Sequence, residues 1–220
     1  MLNTNLYLLR SRFELTFKFL LFCLFYILTL KVSEYLLIDD ELYFQSYSHL
    51  LNYNEINDLI NNEHNNRWIY YLTTVVFFLL KFTILTLFIL SAAFFFNKEL
   101  DFKSVFRSFV EAEFLFLIPM LIKVLWFLFI QTDYTIPDIS SFFPLSLSNL
   151  ISLDEKNNNL IYILQTLNLF EVAYWFFLAS RLSYNLNSDY KTGVSHVFTG
   201  YIPVLFLWFI MYTFIISLAT

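Results

Sequence analysis

Residues Trp68–Phe96 read WIYYLTTVVFFLLKFTILTLFILSAAFFF. The run exceeds the ~20 residues that cross a bilayer at ~1.5 Å rise per residue, and its single charge is Lys81. An apolar surface on all sides predicts a helix solvated by hydrocarbon. Lys81 would lie about 20 Å below the Trp68 end, too deep for its stem to bring the ammonium back to water. The fold class follows from the run, and the question of function starts from the lysine.

The rest of the chain agrees. Of 220 residues, 59% are hydrophobic and 14% charged, against roughly 45–50% and ~25% in soluble domains. Four further runs have spanning length, so the expected spans are 13–30, 68–95, 112–130, 160–180 and 197–218, all in one membrane domain. The expectation is an all-α integral membrane protein with five transmembrane helices and short interfacial helices. The first run is read as a retained span, because no small-x-small cleavage site follows it. Phe occurs 29 times and Gly twice, so Phe, Leu and Ile must fill helix contacts that glycine often makes in membranes. The same bias toward Phe, Ile, Asn, Lys and Tyr fits an AT-rich genome.

Basic residues set the predicted orientation. Arg10, Arg12, Lys98, Lys103, Arg107, Arg181 and Lys191 fall on one side, and Lys31, Arg67 and Lys156 on the other. By the positive-inside rule the N-terminus is cytoplasmic and the C-terminus outside. The external loop 32–67 is acidic, carries seven asparagines between Asn52 and Asn66, and predicts one amphipathic surface helix from Leu50, Tyr53, Ile56, Leu59 and Ile60. In DFKSVFRSFV, Asp101 caps a helix whose Phe102, Val105, Phe106 and Phe109 share one face, with Lys103 and Arg107 as an interfacial basic face toward lipid phosphates. Pro137 and Pro144 break the third connection, 131–158, into a segment lying in the outer interface.

The chemistry-bearing residues are few. His49, His64 and His196 are scattered, Cys23 is alone and buried in an apolar run, and no metal-ligand spacing is present. Two glycines, Gly193 and Gly200, cannot form a phosphate loop. No nucleophile motif occurs, and the basic residues flank spans rather than forming a nucleic-acid surface. No enzyme, cofactor, metal or nucleic acid is therefore expected. What remains is an intramembrane charge cluster of Lys81, Lys123 and Glu171, with a polar stripe of Gln165, Asn168 and Glu171 on span four. Each charge alone costs roughly 2.5–3.5 kcal/mol on insertion scales, so Glu171 is expected to pair with one of the lysines. Lys103 or Arg107 would neutralise Glu111 and Glu113.

Two segments carry a likeness. LDFKSVFRSFVEAEFLFLIPMLI (Leu100–Ile122) is an amphipathic entry helix leading into a proline-bearing span. LNLFEVAYWFFLASRLSYNLNSDYKTGVSHVFTGYIPVLFLWF (Leu167–Phe209) is an aromatic span, a short polar turn with a lysine, and a last span with an early proline. Over Trp68–Leu218 the chain resembles the five-span Ypt-interacting-protein (Yip) family in its bacterial-type members. The resemblance implies five helices, a cytoplasmic N-terminus and no catalytic residue. Ala179-Ser180-Arg181 replaces the glycine usual where span four ends, and the glycine-rich spans and long N-terminal domain of eukaryotic members are missing. Their Rab-GTPase roles are accordingly not carried over.

The expected function is an accessory or scaffolding subunit of a larger bacterial inner-membrane complex, in protein export or transport, with the lipid bilayer and other membrane proteins as partners. The alternative is a small transporter or ion-coupled permease subunit that uses Lys81, Lys123 and Glu171.

Overall fold

The computed structural model describes residues 2–95, 97–150 and 158–219. The expected acidic-side residues Asp154, Glu155 and Lys156, and the side chains of Arg10 and Arg12, lie outside the described part. The described residues form α1 (Leu2–Leu37), α2 (Asp40–Tyr47), α3 (Tyr53–Phe95), α4 (Phe102–Glu113), α5 (Leu117–Phe129), α6 (Ile136–Ser141), α7 (Asn158–Thr166), α8 (Leu169–Asn185), α9 (Tyr190–His196) and α10 (Ile202–Ala219). The protein is all-helical, with no strand among these residues. Among the described residues, four stretches are long and apolar enough to cross a membrane: Phe13–Leu37, Tyr53–Phe95, Phe102–Phe129 and Tyr190–Ser217.

The run at 160–180, expected as one span, is two helices. α7 ends at Thr166, and Asn168 starts α8 by accepting the Glu171 N–H at 2.9 Å. The Asn168 amide also donates to the carbonyls of Gln165 and Thr166, at 3.1 and 3.2 Å. Backbone N–H groups of Leu169 and Leu147 reach the Leu145 and Leu167 carbonyls, at 3.1 and 3.2 Å. An asparagine inside an apolar run competes for the backbone. Here it interrupts the ladder because neighbouring chain supplies the missing partners.

The loop expected at 32–67 is also mostly helical. α1 runs on to Leu37, α2 follows with Asp39 as its cap, and α3 begins at Tyr53. The start of α3 is a capping box: Asn52 accepts the Glu55 N–H at 3.0 Å, and Glu55 accepts the Asn52 N–H at 2.8 Å. The asparagine-rich segment is thus the first third of a 43-residue helix, about 65 Å long at 1.5 Å per residue. Pro137, expected as a breaker, sits in the first turn of α6, where its missing N–H has no ladder partner to lose.

The chain divides into two compact units. The first holds residues up to Phe22, Leu79–Leu115, and those from Leu145 on. There α4 packs on α8, and α8 on α9. Its core is aromatic: Phe82 meets Phe19 and Phe106 edge-on at 6.2 and 5.9 Å, and Phe22 meets Phe114 at 5.3 Å. Such pairs add about 0.5–1.5 kcal/mol each beyond area burial. Both glycines lie here at close contacts. A Cβ on Gly193 would overlap the Ala179 carbonyl and Ser183 Oγ, and one on Gly200 would stand 2.7 Å from Ile89 Cγ1. The second unit, Cys23–Phe78 with Phe116–Pro144, is centred on Leu37, Leu42, Val124, Phe127 and Ile139.

α4 carries a capped start and a buried apolar face. Asp101 does cap it, accepting the Ser104 N–H at 3.0 Å. Val105, Phe106, Ser108, Phe109, Val110, Ala112 and Glu113 are all buried, so its apolar face meets protein.

Candidate functional site

Two acid centres form on α4 in the first unit. Glu111 sits at the wetter one. Lys18 of α1 pairs with its Oε1, Arg107 approaches within 3.8 Å, and Arg181 of α8 comes within 3.9 Å. Asn185 donates to Glu111 Oε2 and to Ser108 Oγ, both at 3.0 Å. Arg107 also pairs with Glu14 at 2.6 Å. Spacing makes part of this unavoidable: Arg107 and Glu111 are one helical turn apart, and Arg181 and Asn185 repeat that interval on the facing helix. Among the described residues, three cations here face two acids.

Two residues on, Glu113 points elsewhere and is 3% exposed. Lys81 of α3 pairs with its Oε1. Tyr174 of α8, fully buried, donates to its Oε2 at 3.4 Å. The Tyr174 ring packs 5.3 Å from Tyr201, whose hydroxyl donates to Glu171 Oε1 at 2.8 Å. Trp175 donates to the same oxygen at 2.8 Å. Glu171 is 4% exposed and lies in the first turn of α8, where the helix N-terminus favours negative charge. Lys81 and Glu113 are also among its charged neighbours. The dry centre therefore joins two carboxylates, one ammonium, two phenols and an indole.

Expected and observed placements differ in detail. Lys81 and Glu171 share this centre, but Lys81 makes its ion pair with Glu113, and Glu171 is held by Tyr201 and Trp175. Lys123 belongs to the second unit, where its ammonium stands 5.8 Å from the Phe143 ring centroid. Asn168 serves as the α8 cap, and Gln165 offers its carbonyl to it. Arg107 is drawn inward to Glu14 and Glu111, whereas Lys103 makes no ion pair among the described residues. Sequence reasoning missed Tyr174, Tyr201, Trp175 and Asn185. In a chain with 15 tyrosines, nothing local marks the two that carry buried hydroxyls.

The backbone around the dry centre is irregular. Val197–Tyr201 is a π turn between α9 and α10. Pro203 offers no N–H to the carbonyl four residues before it, so the ladder there must shift. The turn carries Tyr201 and lets Gly200 approach Ile89. No group of three or more His, Cys, Asp or Glu residues that could hold a metal occurs among the described residues.

No protein-family model matches the chain, and neither a curated protein nor a solved structure matches it. The functional reading rests on the chemistry of these centres.

Proposed function

We propose that this chain is a non-enzymatic, multi-pass subunit that scaffolds or accompanies a larger complex of a bacterial-type inner membrane, in export or transport. The observation that carries the reading is that Glu111, Glu113 and Glu171 are all engaged by donors of the same chain. The intramembrane charges then hold helices together rather than await a substrate. The outward residues of the long helices, among them Phe17, Leu24, Ile84, Phe88, Phe206 and Ile210, are exposed and apolar, a surface suited to lipid and to neighbouring subunits.

Five crossings, with α7 and α8 together as the fourth, a cytoplasmic N-terminus and an external C-terminus complete the proposal. Side-chain pairing supports this sidedness. Arg107 and Arg181, both counted on the cytoplasmic side, gather with Lys18 from the start of the first expected span on one acid in the first unit. In the second unit the first and third connections meet: Ser46 Oγ accepts the Ile136 N–H at 2.9 Å, and Tyr134 donates to the Leu37 carbonyl at 3.1 Å. The likeness to Yip proteins is a further proposal, resting only on the two segments that carry it.

Purification of the C-terminally tagged chain from native membranes in mild detergent tests the function. Stoichiometric membrane partners are the expected result, with little change in their activity on Glu171→Gln. A lone monomer or homo-oligomer would overturn the subunit reading.

One observation favours the alternative of a small ion-coupled permease. The helix break at Leu167–Asn168 and the π turn at Val197–Tyr201 flank the Glu171–Tyr201 hydrogen bond, and interrupted helices at a buried acid are the usual form of a transport site. That reading requires a pH-dependent flux in proteoliposomes that Glu171→Gln or Lys81→Met abolishes.

A further inference from the structure

The second unit contains a cavity of about 540 Å³, within the ~300–1,000 Å³ range of small-molecule sites. One wall is α3. Asn62, Asn66, Ile69 and Thr73 line it at helical intervals, with Glu63, Arg67 and Tyr70 beside them. Opposite stand Glu34 at the end of α1 and Tyr43 and Tyr47 of α2. The fold uses some of the polar groups: Tyr71 donates to Glu34 at 2.9 Å, and the Asn66 amide donates to Asn62. Arg67 meets Glu34 through Nε at 3.5 Å, and its terminal nitrogens have no acceptor among the described residues. Glu63 and the hydroxyls of Tyr43 and Tyr47 likewise have no hydrogen-bond partner among them. Burial and the Glu63 carboxylate push the Tyr43 phenol above its ordinary value, so it stays a donor.

The position of the cavity identifies the ligand class. It straddles the point where α3 changes from an asparagine-rich to an apolar helix, marked by Trp68, Tyr70 and Tyr71, the residues that favour a membrane–water interface. The α3 face that lines the cavity continues past Ile69 and Thr73 as Val76 and Phe77, all exposed. A guanidinium with unused donors suits a phosphate. A carboxylate among tyrosines suits an ammonium group, through charge and ring faces together. An apolar stripe leading away from both suits acyl chains.

We propose that this cavity is a headgroup site for a zwitterionic aminophospholipid. Arg67 holds the phosphate, Glu63 with Tyr43 and Tyr47 holds the ammonium, and the acyl chains lie along Ile69, Val76 and Phe77. An anionic lipid offers Glu63 nothing and meets its repulsion, so selectivity against phosphatidylglycerol follows from the same residues.

The test is a lipid titration of the full chain in detergent, read by Tm, with dioctanoyl phosphatidylethanolamine, dioctanoyl phosphatidylglycerol and free phosphoethanolamine. Saturable stabilisation by the first alone is expected. Its apparent affinity should fall about tenfold in Arg67→Ala and in Glu63→Gln, the loss of one charge-assisted contact each. If Arg67→Ala does not fold, Glu63→Gln decides, since its side chain is exposed and unpartnered. Equal stabilisation by both lipids, or an unchanged response in Glu63→Gln, overturns the site. Free phosphoethanolamine binding as well as the lipid overturns the lipid assignment.

Discussion

Glu111 and Glu113 are two residues apart on α4 and meet opposite environments. Positions i and i+2 face different ways on a helix, so one acid turns toward partly exposed cations and the other into the interior. Glu111 collects three long, flexible cations and an asparagine amide. Glu113 has Lys81 and a phenol, with Glu171 and its own two donors close by. The first arrangement tolerates loss of a member, because water reaches the survivors. In the second, each group is the means by which another stays buried. Removing one partner of a buried pair costs far more than a surface pair is worth.

The contrast can be broken by substitution. Glu113→Gln should have the largest effect, about 3–5 kcal/mol of stability, because it takes the buried carboxylate out of the pair with Lys81. Thermal unfolding in detergent measures it, and adding Lys81→Met to the same chain should restore most of the loss. Next comes Tyr201→Phe, which deletes a buried hydroxyl that donates to Glu171; about 1.5–3 kcal/mol is expected in the same assay. If either variant unfolds no earlier than the native chain, the dry centre is not holding the bundle.

Glu111→Gln sharpens the comparison from the other side. Its cations are roughly a quarter to two-fifths exposed, so a loss of about 1 kcal/mol or less is expected, shrinking further as salt is raised. A loss independent of salt would place Glu111 with the dry acids. Lys123→Met should do least, under about 1 kcal/mol, since the lysine's contact is the face of one ring. A large loss there would restore a single three-charge cluster of Lys81, Lys123 and Glu171.

Much of the architecture is legible because bilayer length and helix period are coarse rules. The run from Trp68, the Asp101 cap and the spacing of Phe102, Val105, Phe106 and Phe109 all specify helices before any tertiary contact exists. A helix through Tyr53, Ile56, Leu59 and Ile60 is legible from their spacing, and its start from Asn52-x-x-Glu55, but its unbroken run into the Trp68 segment is not, because the asparagines between them mark no helix of their own. The break at Asn168 lay in the polar stripe itself: an asparagine that caps cannot also continue a ladder. Which acid answers Lys81 was not legible. Glu113 and Glu171 are both at reachable depth, and the choice depends on how α3, α4 and α8 rotate about their own axes. For α3 and α4 that rotation goes with the tilted and edge-to-face packing of Phe19, Phe22, Phe82 and Phe106, which no local spacing encodes.

The two glycines give the chain an uneven tolerance to sequence drift. Most of its interior is Phe, Leu and Ile meeting side chain to side chain, where one bulky residue can replace another and neighbours can repack. At Gly193 and Gly200 an added Cβ meets backbone, the Ala179 carbonyl and the Ile89 Cα, as well as the Ser183 and Ile89 side chains, and backbone cannot repack. A saturation scan of this protein should therefore read as a broadly permissive field cut by two columns in which nearly every substitution fails.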